Sequence, residues 1–197
     1  MKYENNENIE RAQNGDLGAF RKIIEQHSQK IYSIAYQMAG NSDDASDIAQ
    51  EVFIKLFNSL GKFDRKYNFT TWLYRVTVNM SIDYKRKNTR HSNIPLDEIN
   101  ETSIIGNCSS EPDSGLERKE LKGIINKVTE LLTEKQQKVF VLRDLQGFST
   151  EEISQILTCR QSTVRVHLAK AREQVRNELM KYYPERLNIK ANREDNR

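Results

Sequence analysis

The sequence contains few of the residues that support a disulfide-bonded, metal-binding or membrane-embedded protein. Its 197 residues include two cysteines, three histidines, three prolines and one tryptophan. Cys108 and Cys159 are too few for a disulfide framework or a four-ligand zinc site, and the histidines form no metal-binding motif. No segment approaches the roughly 18 uncharged apolar residues of a membrane span, and the acidic N-terminus lacks a signal peptide's apolar region. These absences predict a soluble, cytosolic protein without membrane insertion, metal or cofactor.

The charges are unevenly distributed along the chain. Residues 61–92 carry eight basic and two acidic side chains, residues 93–120 carry two and seven, and residues 121–197 carry fifteen and ten. Two basic blocks separated by an acidic spacer indicate two contacts with a polyanion such as nucleic acid. An ordinary solvated surface explains the same charges equally well.

The apolar residues recur at helical spacing, without the alternation of strands. Helices are predicted from Leu17 to Met38, from Ser42 as N-cap to Leu60, and from Thr70 or Thr71 to about Lys87. The first two have apolar faces that include Leu17 and Phe57, respectively. Further helices are predicted over 116–132 and, after a capping-box signature of Thr133 and Gln136, over 133–145. Another helix is predicted after a second capping-box signature of Ser149 and Glu152. The predicted fold class is therefore all-α.

Composition divides the chain into four parts. Residues 1–90 form one small helical domain, and residues 91–115, rich in Asn, Ser, Asp, Glu, Pro and Gly, form a flexible acidic linker. Residues 116–182 form a second small helical domain, and residues 183–197 form a polar tail.

The segment from Ser149 to Val175 has the layout of a helix-turn-helix: a short helix, a tight turn at 158–160 and a longer amphipathic helix. Opposite the predicted buried stripe of the longer helix lies an arc of polar and cationic side chains with one valine: Ser162, Arg165, Val166, Lys170, Arg172 and Arg176. Such an arc fits the major groove, where Arg and Lys reach guanine edges and Val166 meets a thymine methyl group. A plain helical hairpin is the alternative interpretation.

The helix that begins near Ser42 has a mainly acidic outer face with one apolar residue: Asp43, Asp47, Gln50, Glu51 and Ile54. An isoleucine ringed by polar side chains is typical of a protein-binding hot spot. A single exposed isoleucine is also ordinary, so the residues alone leave this interpretation open.

Residues 62–87 interleave aromatic and basic side chains, and hold six of the sixteen aromatic residues, including Phe63 and Trp72. Aromatic rings stack on unpaired bases while cations follow the phosphate backbone, so this composition favours single-stranded nucleic acid. On the predicted third helix, Arg75, Asn79 and Arg86 share a stripe apart from the predicted core positions: Leu73, Val76, Met80 and Tyr84. A packed aromatic core is the alternative.

Three segments, 41–57, 69–87 and 131–175, together resemble the extracytoplasmic-function (ECF) sigma factors of bacterial RNA polymerase. The resemblance implies a non-enzymatic, cytoplasmic stress-response regulator built from sigma regions 2 and 4. It implies that the face containing Asp43, Asp47, Gln50, Glu51 and Ile54 binds the clamp helices of the polymerase's largest subunit. It also implies contact with the flap of the second-largest subunit, and inhibition by an anti-sigma factor that is often membrane-bound.

The same resemblance implies two promoter contacts. Region 4 reads the −35 element with the arc that holds Arg165, Val166 and Lys170. Region 2 recognises and melts the −10 element and captures a flipped base, and the matching positions are Lys55, Phe63, Trp72, Arg75, Asn79 and Arg86.

Two other protein classes are alternatives to this interpretation. A classical repressor or activator with a ligand-binding domain leaves the basic aromatic stretch unexplained. A nucleic-acid enzyme needs convergent carboxylates or a base–nucleophile pair, and Asp43, Asp44 and Asp47 have no partner motif. Copurification with core polymerase distinguishes the three classes.

Overall fold

A computed structural model describes residues 6–91 and 115–182 of the chain. The first unit consists of α1 (Asn6–Gln13), α2 (Leu17–Ala39), α3 (Ser42–Leu60) and α4 (Phe69–His91). The second consists of α5 (Gly115–Glu130), α6 (Glu134–Phe140), a π-helical turn (Val141–Leu145), α7 (Thr150–Ile156) and α8 (Gln161–Tyr182). The predicted all-α class is confirmed. Residues 92–114 and 183–197, which contain almost all of the predicted linker and the whole tail, lie outside the described residues, as does Cys108.

Local hydrogen bonds explain where the first two long helices begin and end. The Asp16 carboxylate accepts the Ala19 amide at 3.0 Å and caps α2, which ends at Gly40 in the left-handed conformation, at φ +90°. The N-cap of α3 is Asn41, whose side-chain oxygen accepts the Asp44 amide at 2.9 Å, so the prediction of Ser42 as N-cap is wrong by one residue. Asparagine caps as well as serine does, and sequence alone does not choose between neighbours.

The core of the first unit surrounds α2, which packs against α1, α3 and α4. Ile31 and Ile34 of α2, Leu56 of α3 and Leu73 of α4 are completely buried. Full burial of each such side chain stabilises the fold by about 1.5–3 kcal/mol. Helix α1 was not predicted, and it contributes the buried Ile9 to this core.

Some residues predicted to lie on apolar faces are exposed instead. Leu17 is 67% exposed, and Phe57 is 57% exposed with its ring 5.2 Å from that of Phe20. Both residues fit the helical period but lie at the edge of the buried stripe, and the period does not give the width of that stripe.

The buried face of α4 also differs from the prediction. Val76, Met80 and Tyr84 are only partly buried, whereas Thr77 and Ser81 are fully buried. The two hydroxyls donate to the carbonyls four residues earlier, at 3.0 Å and 2.8 Å, which satisfies them inside the core. A prediction from the apolar residues alone therefore placed part of the buried face of α4 incorrectly.

Two capping boxes organise the second unit. The Gln136 side-chain oxygen accepts the Thr133 amide at 2.9 Å, at the start of α6. At the start of α7, Ser149 Oγ accepts the Glu152 amide at 3.1 Å and a Glu152 carboxylate oxygen accepts the Ser149 amide at 2.7 Å. Both boxes confirm the sequence signatures. The helix predicted to end at Leu145 does so, with its last turn widened into the π-helical turn.

The two units pack together around one continuous apolar core. Phe148, Ile153 and Leu142 of the second unit join the cluster that contains Ile31 and Leu73 of the first. Within the described ranges, no helix has both the length and the apolar character needed to cross a membrane, and no three metal-ligating side chains are grouped.

The capping box of α7 yields a stability prediction. Ser149→Ala leaves the Glu152 amide without its acceptor, so the free energy of unfolding should fall by about 1 kcal/mol. Urea unfolding followed by circular dichroism measures this. The matched control is Ser154→Ala in the same helix, because the Ser154 hydroxyl donates to the Glu151 carbonyl within that helix. This variant should change the free energy of unfolding by less than about 0.5 kcal/mol. Equal losses in the two variants would contradict a capping role.

Candidate nucleic-acid interface

The helix-turn-helix geometry rests on the turn between α7 and α8. Thr158 adopts a left-handed conformation, at φ +54°, where a glycine is the usual residue. Helix α8 then buries Val164, Leu168 and Ala171 against the rest of the unit. The sequence predicts a buried stripe of Val164, Leu168, Ala171, Val175 and Leu179. The first three positions are confirmed, whereas Val175 and Leu179 are only partly buried.

The opposite arc of α8 faces away from the core. Its members are exposed: Ser162, Arg165, Val166, Lys170, Arg172 and Arg176. Val166 is 54% exposed, so an apolar side chain stands among cationic ones on this surface. Such an arrangement offers donors for base edges and phosphates and an apolar contact for a methyl group.

Arg172 differs from the rest of the arc because its guanidinium is already bound. It makes two hydrogen bonds to the Asp144 carboxylate, at 2.9 Å from Nε and 2.6 Å from a terminal nitrogen. This bidentate pairing raises the pKa of Arg172 and ties α8 to the π-helical turn. The sequence could not indicate this pairing, because the two residues lie 28 positions apart.

The outer face of α3 has the predicted arrangement. Its residues are all exposed: Asp43, Asp47, Gln50, Glu51 and Ile54. Ile54 is 62% exposed, and the exposed ring of Phe57 lies one turn further along α3. The apolar part of this face is therefore larger than the sequence suggested.

A tyrosine on α4, the helix that carries most of the predicted −10 residues, contacts the acidic face of α3. The Tyr84 hydroxyl lies 3.0 Å from Asp44 and 3.3 Å from Asp47, and donates to these carboxylates. Burial, and then the hydrogen bond to Asp44, raise the pKa of Tyr84, so its hydroxyl keeps its proton at neutral pH. Tyr84 thereby connects α4 to the acidic face of α3.

The aromatic residues of the basic stretch divide between core and surface. Phe63, Phe69 and Trp72 form one cluster with ring centroids 5.2–5.8 Å apart. Phe69 is buried, while Phe63 and Trp72 are half-buried and Tyr67 is 71% exposed. The core interpretation is thus right for Phe69 and for Tyr74, which is also buried, whereas Phe63, Trp72 and Tyr67 are at least partly exposed.

Helix α1 positions the loop that carries Phe63. The Gln13 side-chain nitrogen donates to the carbonyls of Leu60 and Phe63, at 3.0 Å and 2.8 Å, and Glu10 pairs with Arg65 at 2.7 Å. Sequence reasoning missed these positioning residues, because an eight-residue helix with one buried isoleucine gives little periodic signal.

The predicted stripe on α4 is only partly free. Asn79 is exposed, as is Lys55 on α3. The Arg75 guanidinium instead donates to backbone carbonyls of α7, and Arg86 pairs with Glu134 of α6. Convergence of Lys55, Phe63 and Asn79 on one pocket stays a prediction.

Comparison with known families assigns both units. Residues 23–91 match the family Sigma-70 region 2, and residues 123–175 match Sigma-70, region 4. These two regions define the class as sigma-70-type factors. SigW of Bacillus subtilis is 33% identical over 178 residues, covering 87% of this chain and 94% of that protein. Sigma-E of Escherichia coli K12 is 32% identical over 176 residues, covering 87% and 92%. The chain belongs to the ECF RNA polymerase sigma factors, DNA-binding regulators that support promoter-specific transcription initiation.

Solved structures share the fold. CnrH in complex with the cytosolic domain of CnrY has a TM-score of 0.66 at 18% identity, covering 87% of this chain and 94% of that one. The sigma factor RpoE of Bartonella quintana, in complex with the anti-sigma factor NepR, has a TM-score of 0.63 at 21% identity, covering 81% and 96%. The arrangement of helices is therefore that of known sigma factors.

Proposed function

We propose that the chain uses three separate surfaces in transcription initiation. The outer face of α3 docks on the clamp helices of the polymerase's largest subunit, while the second unit contacts the flap of the second-largest subunit. The exposed arc of α8 reads the −35 element in duplex form. The stripe on α4, with Phe63 and Trp72, recognises and melts the −10 element.

The observation that carries the proposal is that α8 has one buried apolar face and one exposed, mainly cationic face. Val164, Leu168 and Ala171 are buried in the core, whereas Val166 and the cationic side chains of the arc are exposed on the other side of the helix, with Arg172 bound to Asp144. A helix that buries one stripe and presents donors and a valine on the other suits insertion into a major groove.

The docking assignment is supported by the chemistry of α3. Ile54 and Phe57 offer apolar anchors within an acidic and amide rim, which is the composition of a hot spot with a polar surround. The face lies on a helix whose opposite side is locked in the core by Val52 and Leu56, so it is preorganised for binding.

The −10 assignment is supported by the half-buried rings at the start of α4. Phe63 and Trp72 lie 5.2 Å apart and are held by the loop that Gln13 fastens. A partly exposed aromatic pair, with an exposed amide at Asn79 about two turns after Trp72 on α4, suits stacking and edge reading of an extruded base.

An anti-sigma protein is a further proposed partner. The fold is shared with CnrH, solved in complex with the cytosolic domain of CnrY. It is also shared with the B. quintana sigma factor RpoE, solved in complex with the anti-sigma factor NepR. We infer that this chain also binds an anti-sigma protein, which holds it inactive.

Reconstitution tests the proposed function as a whole. The purified chain, added to core polymerase, should copurify with it and direct promoter-dependent transcripts from a library of genomic fragments. A chain that binds DNA as a dimer without associating with core would instead be a classical repressor or activator.

The docking face yields the first functional prediction. Ile54→Glu places a charge at the apolar anchor, so core binding should weaken by about 2 kcal/mol or more with helix content unchanged. The matched control is Leu17→Glu, at an apolar residue of similar exposure, 67% against 62%, on α2 of the same unit and outside the three proposed surfaces. Native-strength core binding by Ile54→Glu would show that the interface lies elsewhere.

The exposed arc of α8 yields the second functional prediction. Arg165→Ala should reduce binding to the −35 duplex by about 1–3 kcal/mol if Arg165 makes a bidentate base contact. Arg176→Ala, farther along the helix, should weaken specific and random duplexes alike and lower the salt dependence. Equal losses on both duplexes for Arg165→Ala would mean that this residue positions the protein without reading the sequence.

Asn79 yields the third. Its amide has both a donor and an acceptor for a base edge, so Asn79→Ala should impair open-complex formation while core and −35 binding stay normal. A template already mismatched at −10 should restore part of the loss, because the unpairing cost of a few kcal/mol is then absent. Permanganate footprinting measures the opening, and Asn177→Ala on α8 is the control. Normal opening and unchanged −10 preference would assign Asn79 a structural role only.

A further inference from the structure

One arginine of the exposed arc of α8 is bound along one edge of its guanidinium only. Arg172 Nε donates to one oxygen of the Asp144 carboxylate at 2.9 Å, and Nη2 donates to the other at 2.6 Å. A guanidinium has five N–H groups in a planar fork, and this pairing uses two of them. Among the residues that the structure describes, none accepts a hydrogen bond from Nη1. The end of the fork formed by Nη1 and Nη2 is therefore available to a further acceptor.

The exposures of the two side chains show which way the pair faces. The Arg172 side chain is 55% exposed, whereas that of Asp144 is 23% exposed. The carboxylate thus lies on the inner side of the pair, and the guanidinium lies on the side of the solvent. A guanidinium fixed along one edge presents its free edge in a defined orientation, and its paired donors match two oxygens of a phosphate.

Packing fixes the backbone on both sides of the pair. Ala171, which precedes Arg172, is completely buried on α8. Asp144 lies in the π-helical turn, where Leu142 is completely buried. Widened turns of this kind are frequent at functional sites. Because the backbone at both ends is held and the pairing is bidentate, the free edge is oriented before any ligand arrives.

The position of Arg172 along α8 indicates which part of a duplex it meets. Arg165 is the fifth residue of α8 and Arg172 is the twelfth. Seven residues are within about 20° of two full turns, so the two side chains share a face and lie about 10 Å apart along the helix. The first residues of a recognition helix reach base edges, while residues farther along contact the backbone. The position of Arg172 therefore favours a phosphate as the acceptor.

We propose that Asp144 is a positioning residue for duplex binding: it holds the Arg172 guanidinium so that the free edge binds a phosphate of the DNA backbone. This role rests on the proposed use of the α8 arc and adds to it a residue outside α8. It also reverses the usual effect of an acidic side chain near DNA. A carboxylate beside the interface repels phosphates, but loss of this carboxylate frees the arginine side chain, whose rotamers must then be restricted on binding.

Asp144→Asn tests the role by the sign of its effect. The asparagine amide has one acceptor oxygen and turns donors toward the guanidinium, so the bidentate pairing is lost. The variant should bind duplex DNA about three- to tenfold more weakly than wild type, although its net charge is more positive. The matched control, Glu173→Gln, makes the same charge change at the exposed neighbour of Arg172 and should bind at least as tightly as wild type. Equal affinities of the two variants would overturn the proposal.

Affinity is measured with the full-length chain by fluorescence anisotropy on two labelled duplexes of equal length. One is cut from a promoter fragment that the reconstituted polymerase transcribes, and the other is a pool of random sequences. A phosphate contact carries no sequence information, so the loss for Asp144→Asn should be the same on both duplexes. A loss confined to the promoter duplex would mean that the pair orients α8 for base reading, and would overturn the phosphate contact.

Removal of the arginine tests the same contact from the other side. Arg172→Ala should lower the slope of log affinity against log salt by about 0.9, the value for one phosphate. Arg21→Ala, an equal charge change on α2, should leave the slope unchanged. In the Arg172→Ala background, Asp144→Asn should no longer weaken binding, because the carboxylate then only repels the DNA. An unchanged slope for Arg172→Ala, or the same weakening by Asp144→Asn in both backgrounds, would overturn the proposal.

The outcomes also separate the role of Asp144 from the function on which it rests. Circular dichroism verifies the helix content of each variant, and the slope for Arg172→Ala decides the phosphate contact even if Asp144→Asn does not fold. Absence of duplex binding by wild type, with no promoter-dependent transcripts from the reconstituted polymerase, would overturn the proposed function itself. Undiminished affinity of Asp144→Asn, in a chain that binds duplex and initiates transcription, would overturn only the role of Asp144.

Discussion

Helix α2 is the element on which both units depend. Ile31, Ile34 and Met38 fill the core of the first unit, while Lys30 and Ser33 bind the loop before α7 of the second. Helical units of this size bury a limited fraction of their surface, so each is marginal in isolation. Sharing one helix adds apolar burial to both units. It also makes the relative position of the two units a matter of side-chain contacts rather than of the chain that joins them.

Periodicity in the sequence was sufficient for the helices other than α1 and for the outer faces of α3 and α8. The exposed positions of Ile54 and Val166 follow from helical spacing alone, because a residue opposite a buried stripe has no packing partner. The same spacing was wrong for Phe57 and for the core of α4, where Thr77 is buried. Stripe width and the burial of satisfied hydroxyls depend on which helices pack nearby, and a local pattern does not contain that information.

The candidate site shows the same limit more sharply. Arg75 was predicted on a stripe of α4 apart from the core, but it is partly buried and its partners are two backbone carbonyls of α7, and a carbonyl has no signature in sequence. Gln13 likewise acts through carbonyls, at Leu60 and Phe63. Side chains that bind the main chain of another element are predictable as exposed polar residues at most. Their roles emerge only once the packing of the helices is known.

These contacts determine which of the proposed surfaces can bind a partner without a rearrangement of the two units. Docking through Ile54 requires no rearrangement, because this residue is exposed while the two units are packed together. Use of Arg75 requires that α7 leave, and the carbonyls of Gln155 and Ile156 then exchange a guanidinium for water. That exchange is small in net free energy, since hydrogen bonds to solvent replace those lost. Burial of Phe148 against Tyr74 is the larger contribution to the packing of the two units, so loss of this contact is the main cost of separating them.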